Sequence, residues 1–327
     1  MMKPILEVNN LSMHFPITGG LLRRQVGKVH AVTDVSLCLT RGETLGVVGE
    51  SGCGKTTLGR ALIRLYEPTE GSVKFEGKEV TEFSDNDLKG FRKDMQMVFQ
   101  DPYASLNPRM TIQDILEEPL SLHQIGTKAE RQEKVVSIMK LVGLREEDIL
   151  KFPHEFSGGQ RQRIGIARAL MLNPKIIICD EAVSALDVSI QSQVLNLLNK
   201  LQKELKLTYI FISHDLTVVK YISDRVAIMY LGRIIELASS EDIYEKPQHP
   251  YTKALLSSMP IPDPRKRNND LGLVGDVPSP ANPPPGCAFA TRCSWAKEIC
   301  SHDVPQIEEV NGQKDHIVAC HLKSEIN

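Results

Sequence analysis

No apolar run in this 327-residue chain approaches the ~20 residues needed to cross a bilayer. The longest, such as Ile176-Ile177-Ile178-Cys179, have the length of a strand. The start, Met1-Met2-Lys3-Pro4-Ile5-Leu6-Glu7, lacks the apolar segment of a secretory signal. A formal net charge of −2 provides no bulk attraction for nucleic acid or anionic lipid, so a partner has to be recognised at a site. Coiled-coil heptads, internal repeats and low-complexity tracts are missing too. Together these absences predict a cytosolic protein with no nucleic-acid partner, held at a membrane only if another chain holds it there.

What is present is ordinary globular composition, 41% hydrophobic and 24% charged, at a length that suits one large domain plus an appendage. Short apolar runs alternate with helical patterns up to about residue 240. Thr44–Val48, Met95–Phe99, Ile176–Cys179, Thr208–Ile212 and Val226–Tyr230 are continuously apolar, as in strands covered on both faces of a largely parallel sheet. Thr127–Val142 and Ser189–Leu205 carry helical spacing. Ser157 is placed to cap a helix starting near Gln160, and Asn173-Pro174 to stop it. The stretch from about 85 to 172 therefore reads as mostly helical. After about residue 245 composition shifts, and eleven of the nineteen prolines lie from Pro247 onward. That tail reads as loop-rich and in need of some device to order it.

Gly49-Glu50-Ser51-Gly52-Cys53-Gly54-Lys55-Thr56 matches G-x-x-x-x-G-K-[ST]. An apolar strand precedes it and a helical run, beginning at Thr57, follows. Glycines let the backbone wrap and turn its N–H groups toward phosphates, and the helix adds its positive end. Lys55 brings a full charge to the β- and γ-phosphates, and Thr56 a hydroxyl for Mg²⁺. A glycine-rich turn can match this pattern by chance, but the strand and helix on either side argue against that.

Ile176-Ile177-Ile178-Cys179-Asp180-Glu181 is an apolar strand ending in two acids. Carboxylates there are costly unless they serve a cation or a water. Asp180 is assigned to Mg²⁺ and Glu181 to the attacking water. The competing assignment is an acidic pair that only caps the next helix. His214 follows another apolar strand, where it would reach a γ-phosphate; alone it would be an unremarkable loop histidine.

Phe156-Ser157-Gly158-Gly159-Gln160 resembles the signature motif of ABC ATPases, with phenylalanine in place of the usual leucine. Asp180-Glu181-Ala182-Val183-Ser184-Ala185-Leu186-Asp187 resembles that family's Walker B and D-loop, with Ala182 where proline is common. Gln100 resembles the Q-loop glutamine, His214 the switch histidine and Phe15 the aromatic residue that stacks on adenine. The matches run in family order over about 230 residues.

The resemblance implies an α/β fold: a P-loop NTPase core of the ABC type with an antiparallel β part, a helical subdomain over about 88–172 and a loop-rich C-terminal extension. It implies domains at 1–245 and 246–327. ATP and Mg²⁺ are the implied cofactors. Phe15, Gly49, Glu50, Ser51, Gly52, Cys53, Gly54, Lys55, Thr56, Thr57, Ser157, Gly158, Gly159, Gln160 and Asp187 are the implied nucleotide contacts. Thr56, Gln100 and Asp180 would hold the metal, and Glu181, His214 and Gln100 would carry catalysis. Ser157 would face the γ-phosphate held by a partner's phosphate loop, so ATP would join two head-to-tail subunits.

Gln100-Asp101-Pro102-Tyr103-Ala104-Ser105-Leu106-Asn107-Pro108 is similar to the peptide-importer group, where this region docks the pore subunits. His249–Leu256 and Pro283–Phe289 look like the C-terminal region of dipeptide and oligopeptide importer ATPases, most of all the second of the paired ATPases. That implies a paralogous ATPase partner, two transmembrane permease subunits, an extracytoplasmic peptide-binding protein acting indirectly, and a peripheral place on the cytoplasmic face of the bacterial inner membrane. Nickel, glutathione or another small solute is the alternative cargo. Chromosome-organising and translation-associated ABC proteins fit less well, because they need coiled-coil arms or two cassettes per chain. A non-hydrolysing scaffold would lack Glu181 or His214, and both are here.

Cys287, Cys293, Cys300 and Cys320 are spaced x5, x6 and x19. Four thiolates in a proline-rich tail would order it by holding zinc or, as in some related importers, a [4Fe–4S] cluster. The spacing fits neither common zinc patterns nor ferredoxin runs, and small buried hydrophobes are the other reading. Cys53, inside the phosphate loop, is expected to admit a bulky thiol reagent that blocks hydrolysis. Cys38 and Cys179 are expected in the core.

Overall fold

The computed structural model describes residues 3–20, 24–259 and 275–323. Along the chain the strands are β1 (Leu6–Gly19), β2 (Arg24–Leu39), β3 (Thr44–Val48), β4 (Glu70–Phe75), β5 (Lys78–Glu79), β6 (Met95–Val98), β7 (Ile176–Asp180), β8 (Thr208–Ser213), β9 (Arg225–Tyr230), β10 (Arg233–Ser239), β11 (Glu308–Val310) and β12 (Gln313–Val318). The helices are α1 (Lys55–Leu62), α2 (Asp85–Asp94), α3 (Pro102–Ser105), α4 (Ile112–Leu122), α5 (Lys128–Leu141), α6 (Gly158–Leu170), α7 (Val188–Leu205), α8 (Leu216–Ile222), α9 (Ser240–Glu245), α10 (Pro250–Ser257) and α11 (Glu298–His302). Packing divides the chain into two compact units, Met1–Glu82 with Ser213–Asn327, and Phe83–Ile212.

In the first unit β1 pairs antiparallel with β2 and with β4, giving the strand order β2-β1-β4-β5. Leu6, Val8, Leu11 and Met13 of β1 are buried, and register shifts between Val8 and Leu11 keep them on the covered face. In the same unit β3 runs parallel to β9, β9 pairs antiparallel with β10, and β10 with β12. All five residues of β3 are buried, as the unbroken apolar run requires. It delivers the phosphate loop from a strand with no freedom to shift.

The C-terminal region belongs to this unit and is sewn into it. Glu236 pairs with Val318 and Leu237 with Ile317, so β12 extends the sheet from β10. The Glu236 carboxylate is fully buried; it accepts the Gln248 and His249 backbone N–H groups at 2.7 and 2.9 Å and meets His316 Nε2 at 2.8 Å. A carboxylate so deep is tolerated because its oxygens are satisfied. Beside it the rings of Tyr230, Tyr251 and Phe289 lie 4.7–5.4 Å apart.

These contacts order the C-terminal region. Cys287, Cys293, Cys300 and Cys320 are free thiols. Among the described residues no group of three or more His, Cys, Asp or Glu side chains is arranged to hold a metal ion. Burial pushes the Cys287 thiol up to about 11 and raises Cys293 and Cys320 as well, and the charge of neighbouring tail cysteines adds to each rise. A polar hub and an aromatic cluster order this region, and the described residues give the expected iron–sulfur or zinc centre no support. Of the remaining cysteines, Cys179 is buried as expected, whereas Cys38 is exposed on β2.

In the second unit β6, β7 and β8 run parallel, with Met95 opposite Ile176 and Ile176 opposite Thr208. The helices carry their starts in sequence. Ser84, Thr111, Thr127 and Ser157 each form a capping box with Asp87, Asp114, Glu130 and Gln160. The sequence placed the first turn of α6 two residues late, because glycines 158 and 159 read as loop until the box closes over them.

His249 Nδ1 accepts the Tyr251 N–H at 3.0 Å, and burial pushes its pKa down to about 4 from the ordinary 6.5. The native state thus holds it neutral, while an unfolded chain would protonate it below 6.5. Stability from this site is complete above pH 6.5 and is lost as pH falls toward 4. The melting temperature should drop more between pH 7 and pH 5 in the wild type than in His249→Asn, which keeps an acceptor for Tyr251 but does not titrate; equal drops would remove His249 as the cause.

Candidate active site

The phosphate loop leaves the buried end of β3 and closes at Gly54, the N-cap of α1. Gly54 sits at φ 103°, in the left-handed region, and a Cβ there would lie 2.0 Å from the Ala31 carbonyl oxygen. Only glycine fits. The turn sets the positive N-terminal end of α1 at the loop. Lys55 is 4% exposed, and its Nζ donates to the carbonyls of Gly49 at 2.7 Å and Glu50 at 2.9 Å. Ser51 and Gly52 form the open tip, and Thr56 and Thr57 are half-buried in the first turn. Cys53 is 3% exposed, and burial raises its pKa. A bulky reagent therefore has no open thiolate to attack, contrary to the expectation from sequence.

In this same unit Phe15 lies half-buried on β1, edge-on to Tyr66 with centroids 5.3 Å apart. His214 is exposed, directly before Asp215, which caps α8 by accepting the Thr217 N–H at 2.7 Å.

The second unit holds the acids. Asp180 is 1% exposed at the end of β7. Glu181 follows at φ 45°, a strained conformation for a residue with a side chain, and its N–H donates to the Ile212 carbonyl at 2.9 Å. Gln100, just past β6, donates from Nε2 to Glu181 Oε2 at 2.8 Å. The structure therefore brings together Gln100, Asp180 and Glu181, as the parallel order β6-β7-β8 requires. Oxygen donors of this kind suit a hard cation such as Mg²⁺.

Ser157 is exposed and caps α6; its N–H donates to Gln160 Oε1 at 2.9 Å. Gly159 packs against α7 so closely that a Cβ would fall 2.3 Å from Ile190 Cγ2, and one at Gly158 would lie 3.6 Å from Leu186. The Ser157 segment and the loop 181–187 thus share one surface, with Asp187 as the N-cap of α7. Two residues of this loop system escaped the sequence reading. Arg292 and Tyr251 both contact Glu50 from more than 200 positions away, a link with no local signal.

A lysine-bearing phosphate loop between strand and helix, with an acidic pair ending a parallel strand, defines a P-loop nucleotide hydrolase. Comparison narrows the class. Residues 32–184 match the ABC transporter family, and residues 235–300 match the oligopeptide/dipeptide transporter C-terminal region. The chain is 56% identical over 325 residues to the oligopeptide transport ATP-binding protein AppF of Bacillus subtilis, covering 98% of both chains. It is 54% identical to a putative peptide import ATP-binding protein of Brucella ovis, covering 97% of both. Among solved structures, the dimeric post-hydrolysis ATP-binding cassette MJ0796 with ADP and Pi superposes with TM-score 0.63 at 28% identity, over 72% of this chain and 98% of that one. The cbiO1 protein of Clostridium perfringens, part of the ABC transporter complex cbiONQ, gives 0.64 at 28%, over 75% and 92%. The chain belongs to the ATP-binding subunits of ABC transporters, in the branch that carries the oligopeptide/dipeptide C-terminal region, and is an ATPase. Among the described residues no helix is long and apolar enough to cross a membrane.

Gly159→Ala should force α6 away from α7 and cost about 1–3 kcal/mol, as overpacking does. Thermal melting would register the loss, and Ile190→Ala in the same chain should recover part of it; no change in melting temperature would show that the contact yields freely.

Proposed function

We propose that this chain is one of two paired ATPases that power uptake of dipeptides or oligopeptides through separate permease subunits. The observation that carries the hydrolytic role is the Gln100–Glu181 hydrogen bond of 2.8 Å at the end of a buried strand. The match of residues 235–300 to the oligopeptide/dipeptide C-terminal region supports the cargo. Functionally, residues 1–245 act as the nucleotide-binding domain and 246–327 as the C-terminal region.

In this reading Lys55 exchanges the carbonyls it now holds for phosphate oxygens, and the first turn of α1 cradles the same groups. Phe15 stacks on adenine. Glu181 orients the attacking water and takes its proton, with Gln100 fixing one carboxylate oxygen. His214, exposed at the end of β8, reaches the γ-phosphate. Thr56, Asp180 and Gln100 are the residues that would hold Mg²⁺, which neutralises charge on the phosphates when bound. Ser157, Gly158, Gly159 and Gln160 open α6 toward the nucleotide of a paralogous ATPase, and Asp187 lies at that interface.

Coupling to the permeases runs through α6. Tyr103, 65% exposed in the segment assigned to permease docking, lies under the Arg161 guanidinium at 3.7 Å. Arg161 also donates to the Pro153 and His154 carbonyls at 2.6 and 3.2 Å, and Arg168 donates to the Ser105 carbonyl. A shift of residues 101–108 is therefore felt by the helix that begins at Ser157. The implied assembly adds two transmembrane permeases and an extracytoplasmic peptide-binding protein, with this chain peripheral on the cytoplasmic face of the inner membrane.

Glu181→Gln should retain ATP, trap the closed ATPase pair and lose ~10²-fold or more in turnover, as a positioned base does. Lys55→Ala should instead weaken nucleotide binding itself. Membrane assays that measure ATP hydrolysis alongside labelled dipeptide uptake separate the two; wild-type turnover in Glu181→Gln would remove the assigned base, and uptake unaffected by loss of this chain would remove the cargo.

A further inference from the structure

The phosphate loop is held from outside by the C-terminal region, and both contacts fall on one residue. Arg292 Nη1 donates to Glu50 Oε2 at 2.7 Å and Nη2 to Glu50 Oε1 at 3.1 Å, a two-pronged pair. The Arg292 side chain is only 4% exposed and Glu50 25%. The Glu50 backbone N–H donates to the Tyr251 hydroxyl at 3.0 Å, and the Glu50 carbonyl accepts from Lys55 at 2.9 Å. Arg292 is itself seated on the Tyr230 ring, 5.8 Å from its centroid, and donates to the Tyr230 hydroxyl at 3.4 Å. Tyr230, Tyr251 and Phe289 form the ring cluster that the tail inserts into.

The position of Glu50 makes this consequential. It is the second residue of the loop that must accept a triphosphate, and it carries a negative charge. A carboxylate there opposes nucleotide binding unless it is neutralised, and at short range in a partly buried site the opposition is large. A planar guanidinium matched to both oxygens removes that charge and fixes the carboxylate's direction. An ammonium would neutralise the charge without the fork.

We propose that Arg292 is a positioning residue for ATP binding: with Tyr251, it neutralises and anchors Glu50, so that the C-terminal region keeps the phosphate loop receptive to the triphosphate. The inference rests on the phosphate-loop reading of residues 49–56. It assigns the tail a part in nucleotide affinity, in addition to any part in assembly. Linkage makes the effect mutual. If an ordered tail favours ATP, bound ATP orders the tail.

The test measures ATP affinity, hydrolysis kinetics and melting temperature on the full chain in its transporter. Arg292→Ala should raise the KM for ATP and the nucleotide Kd about tenfold while kcat changes by less than about threefold. Arg292→Lys, which keeps the charge, should fall between the two. Adding Glu50→Gln to Arg292→Ala should bring the KM back toward the wild type, because the unpaired charge is gone. Hydrogen exchange over residues 287–300 should slow on addition of ATP in the wild type and not in Arg292→Ala. A folded Arg292→Ala or Arg292→Lys with wild-type KM and Kd would overturn the proposal. A lower melting temperature with unchanged KM, or no recovery from Glu50→Gln, would assign Arg292 to stability alone and overturn it equally. Lys55→Ala is the control: should it still bind ATP normally, the phosphate-loop reading has failed, and that failure is distinct from the failure of the Arg292 proposal.

Discussion

A buried ammonium held by backbone carbonyls is the interaction on which this protein depends. Lys55 is almost wholly enclosed, and its Nζ bonds to the oxygens of Gly49 and Glu50. Two carbonyl dipoles and the Cys53 sulfur, at 3.7 Å, take its hydrogen bonds but bring no full opposite charge. Phosphate oxygens offer the same geometry with full charge, so the exchange favours binding. A ligand shifts an equilibrium only through such a difference between states. The buried β3 and the left-handed turn at Gly54 exist, in physical terms, to hold the loop in place for that exchange.

The second unit applies the same economy to negative charge. Asp180 and Glu181 end a strand that is buried throughout, and Glu181 adopts a strained backbone there. Strain persists where surrounding contacts over-determine it. Here those contacts are the Ile212 carbonyl and the Gln100 amide. Gly159 then presses α6 onto α7, so the signature segment packs beside the loop 181–187. Arg161 and Arg168 tie α6 to the segment around Tyr103.

The tail shows how a loop-rich segment is ordered by contacts with the sheet it joins. It borrows the sheet through β12, places a satisfied carboxylate at Glu236 and inserts Phe289 between two tyrosines. The cysteines sit as free thiols in a packed setting, and burial raises the pKa of Cys287, Cys293 and Cys320. The polar hub at Glu236 ties this order to pH through His249. The two-pronged contact between Arg292 and Glu50 gives the same tail a hold on the phosphate loop.

By itself the sequence determined what depends on short spacing. The strands at 44–48, 176–180 and 208–213, the capping boxes at Ser84, Thr111, Thr127 and Ser157, and the phosphate loop all obey periods or motifs of a few residues. The same motif order made the family legible. Tertiary structure alone decided which residues meet across long separations. Glu50 and Arg292 are 242 positions apart, Glu236 and His316 80. It also decided that Cys53 is enclosed, Cys38 exposed and the four tail cysteines free. The reason is that pairing, burial and charge neutralisation are set by packing between distant segments, while local sequence encodes only turns, caps and the period of the apolar face.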